Sequence, residues 1–431
     1  MQYFSTNHTS PPASFKAAVL SGQPLDGGLY FPEIIPPISN DFLETIETKE
    51  NDEIAFEVMR PFVAGDIPDD ILRSICSETV DFPFPLVQVS PDIETLELFH
   101  GPTLAFKDVG ARFMSRCLKY FTPNSSEKTV VITATSGDTG GAVANGFFGV
   151  DGVEVVILYP KGRVSRVQEL QLTTLGGNVT ALALEGSFDD CQALAKQALV
   201  DDDLKQRVRV TSANSINIAR WLPQQIYYFF GCKLLQGDEP PVISVPSGNF
   251  GNICSGLLAW ARGLPVKRFI AACNANDVIP KYLQTGEFKS QAAIHTISNA
   301  MDVGDPSNFA RILELLGPDP SGISKIISAV SISDAETEAV MRDVFERYSY
   351  VMDPHGAVAY KALADHHQQN AGESGIFLET AHPVKFDAVK AVLGNYDVIP
   401  DTIQALYDKP DFGSTIDANY GSLKEVLLSR A

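Results

Sequence analysis

The sequence predicts an α/β fold with two open, mostly parallel sheets and a small subdomain at its N-terminus. From Lys128 onward, short β-branched runs alternate with segments of helix length. The runs are apolar throughout, which is typical of parallel strands that helices cover on both faces. The 431 residues, 45% hydrophobic and 20% charged, suffice for two or three domains with a sizeable core.

Residues 1–90 are interpreted as the N-terminal subdomain. Helical patterns are predicted at 14–20, 53–64 and 67–76. Between the first two lies a segment rich in glycine and proline, which includes the sequence GGLYFP at 27–32. A packing turn explains this sequence, and we expect no catalytic role for it.

Residues 91–431 are predicted to form two α/β lobes. The candidate strands are 95–99, 129–133, 153–159, 179–184, 208–211, 241–245, 268–272 and 375–379. In open parallel sheets, ligands bind at the carboxyl ends of the strands. We therefore expect the functional side chains to follow strands directly and to meet between the lobes.

Composition argues against several classes of function. The net charge of -20 opposes binding to nucleic acid or to an anionic membrane. No apolar run approaches the roughly 18 to 20 residues that a membrane-spanning helix needs, and the first residues do not resemble a secretion signal, so a cytoplasmic location is expected. The six cysteines lack CxxC spacing and indicate neither a disulfide framework nor a metal site.

The stretch HGPTLAFKD at 100–108 contains the candidate catalytic residue, Lys107. It follows the strand at 95–99, turns at a Gly-Pro pair and leads into a helix predicted at 109–120. The apolar residues at 104–106 would remove water from the Lys107 ammonium group and lower its pKa, which favours a nucleophile or base able to form a Schiff base. The alternative is an ordinary exposed lysine in the first turn of a helix.

Two loops that follow predicted strands are candidate sites for anionic groups. The sequence TATSGDTG at 133–140 aims backbone N–H groups and hydroxyls at one spot ahead of a helix, which suits a carboxylate or phosphate. At 160–165, Lys161 and Arg163 are candidates for neutralising a phosphate, and a solvated turn is the alternative.

A third segment, NSINIAR at 214–220, is predicted to begin a helix. Asn214, Asn217 and Arg220 recur every three residues, so they are expected to share one helical edge near the preceding strand. A structural alternative makes Asn214 the N-cap of that helix.

The sequence PSGNFGN at 246–252 follows a buried strand and precedes a helix predicted at 253–262. Its glycines allow close approach of the backbone to a ligand, and the helix start offers free N–H groups, so a dianionic phosphate fits there. The stretch is neither a Walker A loop nor a GxGxxG dinucleotide motif.

Taken together, these stretches resemble the pyridoxal-phosphate (PLP) enzymes of the tryptophan synthase β-subunit type, fold type II, and among them the threonine synthases. The resemblance implies that Lys107 carries the cofactor between the two lobes. It assigns the cofactor phosphate to Ser247, Gly248, Asn249, Phe250, Gly251 and Asn252. It assigns the substrate α-carboxylate to Thr135, Ser136, Gly137, Asp138 and Thr139. In the sequence LETAHPVKF at 378–386, it places the hydroxyl of Thr380 against the pyridine nitrogen.

The resemblance further implies the conversion of O-phospho-L-homoserine and water to L-threonine and phosphate, with Lys161, Arg163 and Arg220 as candidates for the substrate phosphate and Asn214 and Asn217 as secondary candidates. A serine or threonine dehydratase, which needs no second phosphate site, is one alternative. A PLP-binding homologue without turnover is another. The sequence does not distinguish a monomer from a homodimer.

Overall fold

The computed structural model describes residues 1–122, 128–235, 237, 239–394, 396 and 398–430. Within these ranges the strands are β1 (Gln2–Ser5), β2 (Ala13–Ser14), β3 (Tyr30–Pro32), β4 (Leu86–Ser90), β5 (Ile93–Glu97), β6 (Thr129–Ala134), β7 (Val153–Pro160), β8 (Val179–Glu185), β9 (Arg209–Ser212), β10 (Val242–Pro246), β11 (Arg268–Cys273), β12 (Ile327–Ser331), β13 (Gly375–Glu379) and β14 (Ser414–Asp417).

The helices in the same ranges are α1 (Phe15–Ser21), α2 (Asn40–Glu44), α3 (Asn51–Val63), α4 (Asp69–Thr79), α5 (Lys107–Phe121), α6 (Asp138–Phe147), α7 (Arg166–Thr173), α8 (Phe188–Val200), α9 (Asp202–Lys205), α10 (Ile218–Trp221), α11 (Ile226–Leu234), α12 (Gly251–Ala261), α13 (Val278–Thr285), α14 (Phe309–Leu316), α15 (Pro320–Ile323), α16 (Asp334–Tyr348), α17 (Pro354–Gln369), α18 (Asp387–Leu393), α19 (Asp401–Gln404) and α20 (Tyr420–Ser429). Short 3-10 turns lie at Ile46–Thr48, Leu222–Gln225, Asn299–Met301 and Pro383–Lys385.

Two mostly parallel sheets form the two lobes, as the sequence predicts. The larger sheet has the strand order β12-β11-β10-β13-β5-β4, and every pair in it is parallel except β4 with β5. The smaller sheet has the order β14-β8-β7-β6-β9 and is parallel throughout. Each core strand is followed by a helix or loop that covers a sheet face, so the apolar strand sequences are buried on both sides.

All eight candidate strands are present, with ends that shift by at most two residues. Besides β4, the sequence analysis missed β12 and β14, the outermost strands at one edge of each lobe. The sequence of β12 is ISAVS, and its residues beyond the first are partly buried or, at Ser331, exposed, while β14 is almost fully exposed. Neither strand therefore carries the continuous apolar run that identifies a strand buried on both faces.

The N-terminal region forms a small antiparallel sheet, β2-β1-β3, with helices packed on it. The GGLYFP segment enters this sheet, since Tyr30–Pro32 is β3 and pairs with β1. Strand β4 lies within the predicted subdomain 1–90 but pairs with β5 of the larger sheet. The last residues of the predicted subdomain, 86–90, therefore belong to the larger sheet.

A continuous apolar core joins the three parts of the molecule. One buried cluster includes Tyr3 and Phe15 of the N-terminal region, Phe113 of α5 and Val245 of β10. Helix α5 packs against α6, and Gly146 of α6 lies so close to Ala111 of α5 that a Cβ atom on the glycine would be 3.2 Å from the Ala111 carbonyl carbon. This close packing sets the first helix of one lobe against the first helix of the other.

No helix within the described ranges is long and apolar enough to cross a membrane. The six cysteines, all of them described, are unpaired, and all but Cys232 are buried.

Candidate active site

Lys107 is the first residue of α5 and lies at the junction of the two lobes. The loop before it is held to the segment after β13: Phe106 N–H donates to the Thr380 carbonyl (2.9 Å), and His382 N–H donates to the Leu104 carbonyl (3.0 Å). Leu104 has a left-handed backbone (φ 57°) that lets the chain turn into the helix. The two strand ends, β5 and β13, therefore position Lys107 together, and the predicted helix entrance is present.

The Lys107 side chain is mostly buried, with 19% of its surface exposed. Its Nζ lies 4.8 Å from the centre of the Phe106 ring and 3.7 Å from Asp138 Oδ2. Burial lowers the pKa of Lys107 below its ordinary value; Asp138 opposes this shift, and the neighbouring cations Lys385 and Arg220 add to it. This environment favours the neutral amine, so Lys107 is not the ordinary exposed lysine of the alternative reading.

The loop Thr135–Thr139 follows β6, as predicted, and opens α6. The Thr135 hydroxyl accepts hydrogen bonds from the N–H groups of Gly137 and Gly140, both at 2.9 Å, so it folds the loop on itself. Gly137 has φ 139°, a conformation that favours glycine. Ser136 and Thr139 are the loop members whose side chains are half-buried. These two hydroxyls and the first amides of α6 are the groups that can meet a carboxylate.

Asp138 is buried, and its carboxylate is already engaged. Lys385 Nζ lies 2.9 Å from Oδ1, and Gln168 Nε2 donates to the same oxygen at 3.0 Å. Burial alone would raise the pKa of Asp138, but Lys385 and Lys107 together hold it below its ordinary value. The side chain is therefore an anion. It would repel a substrate carboxylate, which leaves the backbone N–H of Asp138 as its contribution to the loop.

The segment Ser247–Asn252 turns between β10 and α12 in the predicted place. Phe250 adopts the left-handed region (φ 60°), and a Cβ atom on Gly248 would lie 2.5 Å from Met301 Cα, so the turn is pressed against the 3-10 turn at Asn299–Met301. The first amides of α12 have no intrahelical acceptor. They form a site for an anion at the carboxyl end of β10.

Side chains around this turn hold it in shape. Asn249 Nδ2 donates to Ser215 Oγ (3.0 Å), and Asn249 Oδ1 accepts from the Ser307 N–H (2.8 Å). Asn252 Oδ1 accepts from the Tyr228 hydroxyl (2.8 Å), while its buried Nδ2 has no partner in the protein. A buried donor without an acceptor beside free helix amides fits a bound phosphate group, which accepts several hydrogen bonds.

Thr380 is buried directly after β13, next to the Lys107 loop. The preceding residue, Glu379, was not singled out by the sequence analysis. Its Oε1 accepts from the Asp353 N–H (2.7 Å), its Oε2 is buried without a partner, and burial followed by the negative charge of Asp353 raises its pKa well above the ordinary value. A neutral carboxylic acid therefore lies beside Thr380. The one sequence signal for Glu379 is its position at the end of the predicted strand 375–379.

Lys385 is the other residue that sequence reasoning missed. It ends the 3-10 turn Pro383–Lys385 and is fully buried against Asp138. Its sequence context, HPVKF, gives little signal. A lysine in an otherwise apolar segment after a strand end was the available clue, since strand ends are where functional side chains are expected.

The three predicted cations lie in different surroundings. Arg163 is exposed and lines a cleft of about 390 Å³ beside the site, together with Ser165, Gln168 and His295. Lys161 is paired with Glu185 (2.9 Å) and does not line this cleft. Arg220 is buried; it donates to the Ala213 carbonyl, its Nε has no partner, and burial lowers its pKa to about 10.

The prediction that Asn214, Asn217 and Arg220 share one helical edge is wrong for Asn214. Helix α10 begins at Ile218 with Asn217 as its N-cap, so Asn214 lies in the preceding turn. There its side chain pairs with both backbone groups of Ala134, donating at 2.7 Å and accepting at 3.2 Å. Asn214 thus fixes the end of β6 just before the loop Thr135–Thr139. The N-cap of the helix, which the structural alternative assigned to Asn214, is Asn217.

Comparison with known proteins places this site in a family context. Residues 95–378 match the family described as pyridoxal-phosphate dependent enzyme, residues 2–80 match threonine synthase N terminus, and residues 356–427 match threonine synthase, C-terminal. The chain is 42% identical over 433 residues to threonine synthase of Haemophilus influenzae, covering 99% of this chain and 100% of that one.

Solved structures agree with the sequence comparisons. The crystal structure of threonine synthase from Escherichia coli superposes with a TM-score of 0.93 at 41% identity and covers 100% of both chains. The PLP-bound threonine synthase from Brucella melitensis superposes with a TM-score of 0.92 at 34% identity, covering 100% of this chain and 99% of that one. A threonine deaminase from Solanum lycopersicum, with a TM-score of 0.58 at 15% identity over 85% of this chain and 99% of that one, shares the fold alone.

Proposed function

The chain belongs to the threonine synthase family of pyridoxal-phosphate-dependent enzymes, and we propose that its active site is the junction of the two lobes around Lys107. The enzyme converts O-phospho-L-homoserine and water to L-threonine and phosphate. The observation that carries the proposed site is the 3.7 Å approach of Lys107, from the larger lobe, to Asp138, from the smaller one. It brings the ends of β5 and β6 together at one place.

Pyridoxal phosphate, when bound, supplies the electron sink that stabilises negative charge on the carbon atoms of the substrate. We assign Lys107 as the lysine that carries it. With cofactor and substrate bound, the free Lys107 amine would be placed to take the proton from the substrate Cα and to deliver protons to the carbon atoms further along the substrate. Its lowered pKa matters because only the neutral amine accepts a proton.

We assign the cofactor phosphate to Ser247–Asn252. The free amides at the start of α12 and the unpartnered Nδ2 of Asn252 supply donors, while Tyr228 fixes the orientation of the Asn252 amide. Thr380 is assigned to the pyridine nitrogen. A hydroxyl cannot keep that nitrogen protonated as a carboxylate would, and the neighbouring Glu379 is itself neutral because its pKa is raised by burial.

We assign the substrate α-carboxylate to the loop Thr135–Thr139. Its donors are the backbone amides and the hydroxyls of Ser136 and Thr139. Asn214 contributes indirectly, because it holds the backbone of Ala134 on which the loop is built.

We assign the γ-phosphate of the substrate to Arg163. Among the three predicted cations, Arg163 is the one that lines the cleft beside the carboxylate loop. Lys161 is neutralised by Glu185, and Arg220 is buried behind α5, where it donates to a backbone carbonyl. A guanidinium suits a phosphate because it donates two parallel hydrogen bonds.

The test compares two cations of the same turn. Arg163→Leu is expected to raise KM for O-phosphohomoserine by about 10- to 100-fold, as for the loss of a charge-assisted hydrogen bond, with a smaller change in kcat. Lys161→Leu serves as the matched control and should leave KM within about twofold. Threonine and phosphate are measured together. Equal effects of the two substitutions would contradict the assignment of Arg163.

The dehydratase alternative predicts release of a keto acid and no need for a second phosphate site. The chain is similar to threonine synthases over its full length and shares only the fold with the threonine deaminase, so the alternative has no support. We propose a cytoplasmic location because six unpaired cysteines suit a reducing compartment. A monomer or homodimer is proposed for the assembly, and gel filtration with light scattering distinguishes them.

A further inference from the structure

A second lysine lies within the proposed active site. The Lys385 side chain has none of its surface exposed, and its ammonium group contacts two oxygens: Asp138 Oδ1 at 2.9 Å and the Thr103 carbonyl at 2.8 Å. The Thr103 carbonyl also accepts from Gln171 Nε2 at 3.0 Å. Lysines are almost never fully buried unless they are paired, because removing the charge from water is costly. The complete burial of the Lys385 ammonium group therefore needs an explanation other than side-chain packing.

Lys385 and Lys107 share one carboxylate. Asp138 turns Oδ1 toward Lys385, where Gln168 also donates, and Oδ2 toward Lys107 at 3.7 Å. The Lys385 contact is short enough for a hydrogen bond, and the Lys107 contact is too long for one. Asp138 is therefore hydrogen-bonded to Lys385 and acts on Lys107 only through its charge.

We propose that Lys385 is a positioning residue of the reaction: it holds Asp138 by one oxygen, so that Lys107 is kept near the other without a full ion pair and stays free to lose its proton. The proposal rests on the assignment of Lys107 as the cofactor lysine. It also gives Asp138 a role different from binding the substrate carboxylate, since its side chain is committed to a cation.

The charges that face Lys107 come from four elements. Asp138 in α6 and Asp353 at the N-cap of α17 favour its charged form, whereas Lys385 in the 3-10 turn and Arg220 in α10 oppose it. Removing the charge of Lys385 takes away a repulsion and also frees Asp138 to pair fully with Lys107. Both changes raise the pKa of Lys107. Removing the charge of Asp138 takes away an attraction and lowers it.

The experiment measures the reactivity of Lys107 in the cofactor-free protein. The protein is reductively methylated with formaldehyde and cyanoborohydride at a series of pH values, and methylation of the peptide that contains Lys107 is quantified by mass spectrometry. Lys385→Gln keeps a hydrogen-bond donor and removes the charge, so its profile should shift upward by about one pH unit. Asp138→Asn should shift the profile downward. Lys385→Arg keeps the charge and should stay within a few tenths of a unit.

Opposite shifts are the signature of the proposed pair. A merely structural role would expose Lys107 in both variants and move both profiles upward, toward an ordinary lysine. An unchanged profile in Lys385→Gln, or shifts of the same sign in both variants, would overturn the proposal. If Lys385→Gln does not fold, as judged by circular dichroism, Asp138→Asn decides alone, and any shift other than downward counts against the proposal.

The assignment of Lys107 is tested separately in the same preparations. Reduction of the PLP-loaded wild type with borohydride fixes the cofactor to its lysine. If the cofactor is found on another lysine, the proposed site fails. If it is found on Lys107 but the two methylation profiles do not move apart, only the role of Lys385 fails.

Discussion

Single residues show which parts of the site the sequence could reveal. Lys107 was predictable because its local sequence combines a strand end, a Gly-Pro turn and three apolar neighbours. Lys385 was not, because its partner Asp138 belongs to the other lobe and no local pattern connects them. The same holds for Glu379, whose burial depends on the approach of α17. Residues whose environment comes from distant parts of the chain need the structure.

His382 supports a pH-dependent prediction at this scale. Its Nδ1 accepts a hydrogen bond from the Val384 N–H (3.1 Å), so protonation there would break the cap of the turn that carries Lys385. Burial, with a smaller contribution from His100, lowers the pKa of His382 to about 4. In the unfolded chain the pKa is about 6.5, so only the unfolded state gains a proton as the pH falls from 6.5 toward 4. Stability is therefore lost across that window.

Urea unfolding at pH 7.5 and pH 5 measures this effect. The wild type is expected to lose about 1 to 2 kcal/mol more stability between the two pH values than His382→Asn, which cannot titrate. His382→Gln should show the same reduced loss. If all three proteins lose equal stability, the pKa of His382 is the same in the folded and the unfolded state, as for an exposed histidine.

Secondary-structure elements were predicted best where they are buried on both faces. The central strands carry continuous apolar runs, and their ends correctly located the turns before α5, α6 and α12. The edge strand β14 is exposed and has no such run. The turn before α10 was misjudged because a three-residue spacing of polar side chains arises in turns as well as in helices, and here Asn214 bonds to a strand end.

Helix α17 provides a prediction at the scale of one element. Its third residue, Gly356, faces Glu379 so closely that a Cβ atom would lie 1.4 Å from Oε2. The carboxyl group is buried and held by the Asp353 N–H, so it has no room to move. Alanine in place of glycine normally favours a helix by about 1 kcal/mol. Here we expect Gly356→Ala to destabilise the protein by about 1 to 3 kcal/mol, as overpacking does.

The matched control is Gly421→Ala in the first turn of α20, where a Cβ atom would find its nearest neighbour, Asn419 Oδ1, at 3.4 Å. This variant should be neutral or slightly more stable. Denaturant midpoints of the cofactor-free proteins give the comparison. Equal midpoints for the two variants would mean that Glu379 is not fixed against α17.

At the scale of the whole molecule, a buried arginine joins the N-terminal sheet to the lobes. Arg311 of α14 donates to the carbonyls of Tyr30 (3.1 Å), Ser215 (3.0 Å) and Ile216 (2.8 Å), and it lies 4.3 Å from the Trp221 ring centre. Ser215 also accepts a hydrogen bond from Asn249, which belongs to the turn Ser247–Asn252. The N-terminal sheet is therefore linked through Arg311 and Ser215 to the turn Ser247–Asn252.

The fold class and the cofactor predicted from the sequence are confirmed, while the roles of individual residues are proposals. Parallel strands and the turns after them can be predicted from the local sequence. Because the carboxyl ends of parallel strands lie at the same edge of a sheet, the turns that follow the strands lie at that edge too. Which cation reaches the cleft is decided by the packing of side chains from both lobes, as the different surroundings of Lys161 and Arg163 illustrate.

The central claim is that Lys107 carries pyridoxal phosphate at the junction of the lobes, and borohydride reduction tests it most directly. The holoenzyme is reduced, digested and analysed by mass spectrometry, with Lys107→Ala treated in parallel. We expect the pyridoxyl group on Lys107, and in the variant we expect loss of the visible absorbance band and of threonine formation. A pyridoxyl group on Lys385 or any other lysine, or a band that survives in Lys107→Ala, would contradict the account.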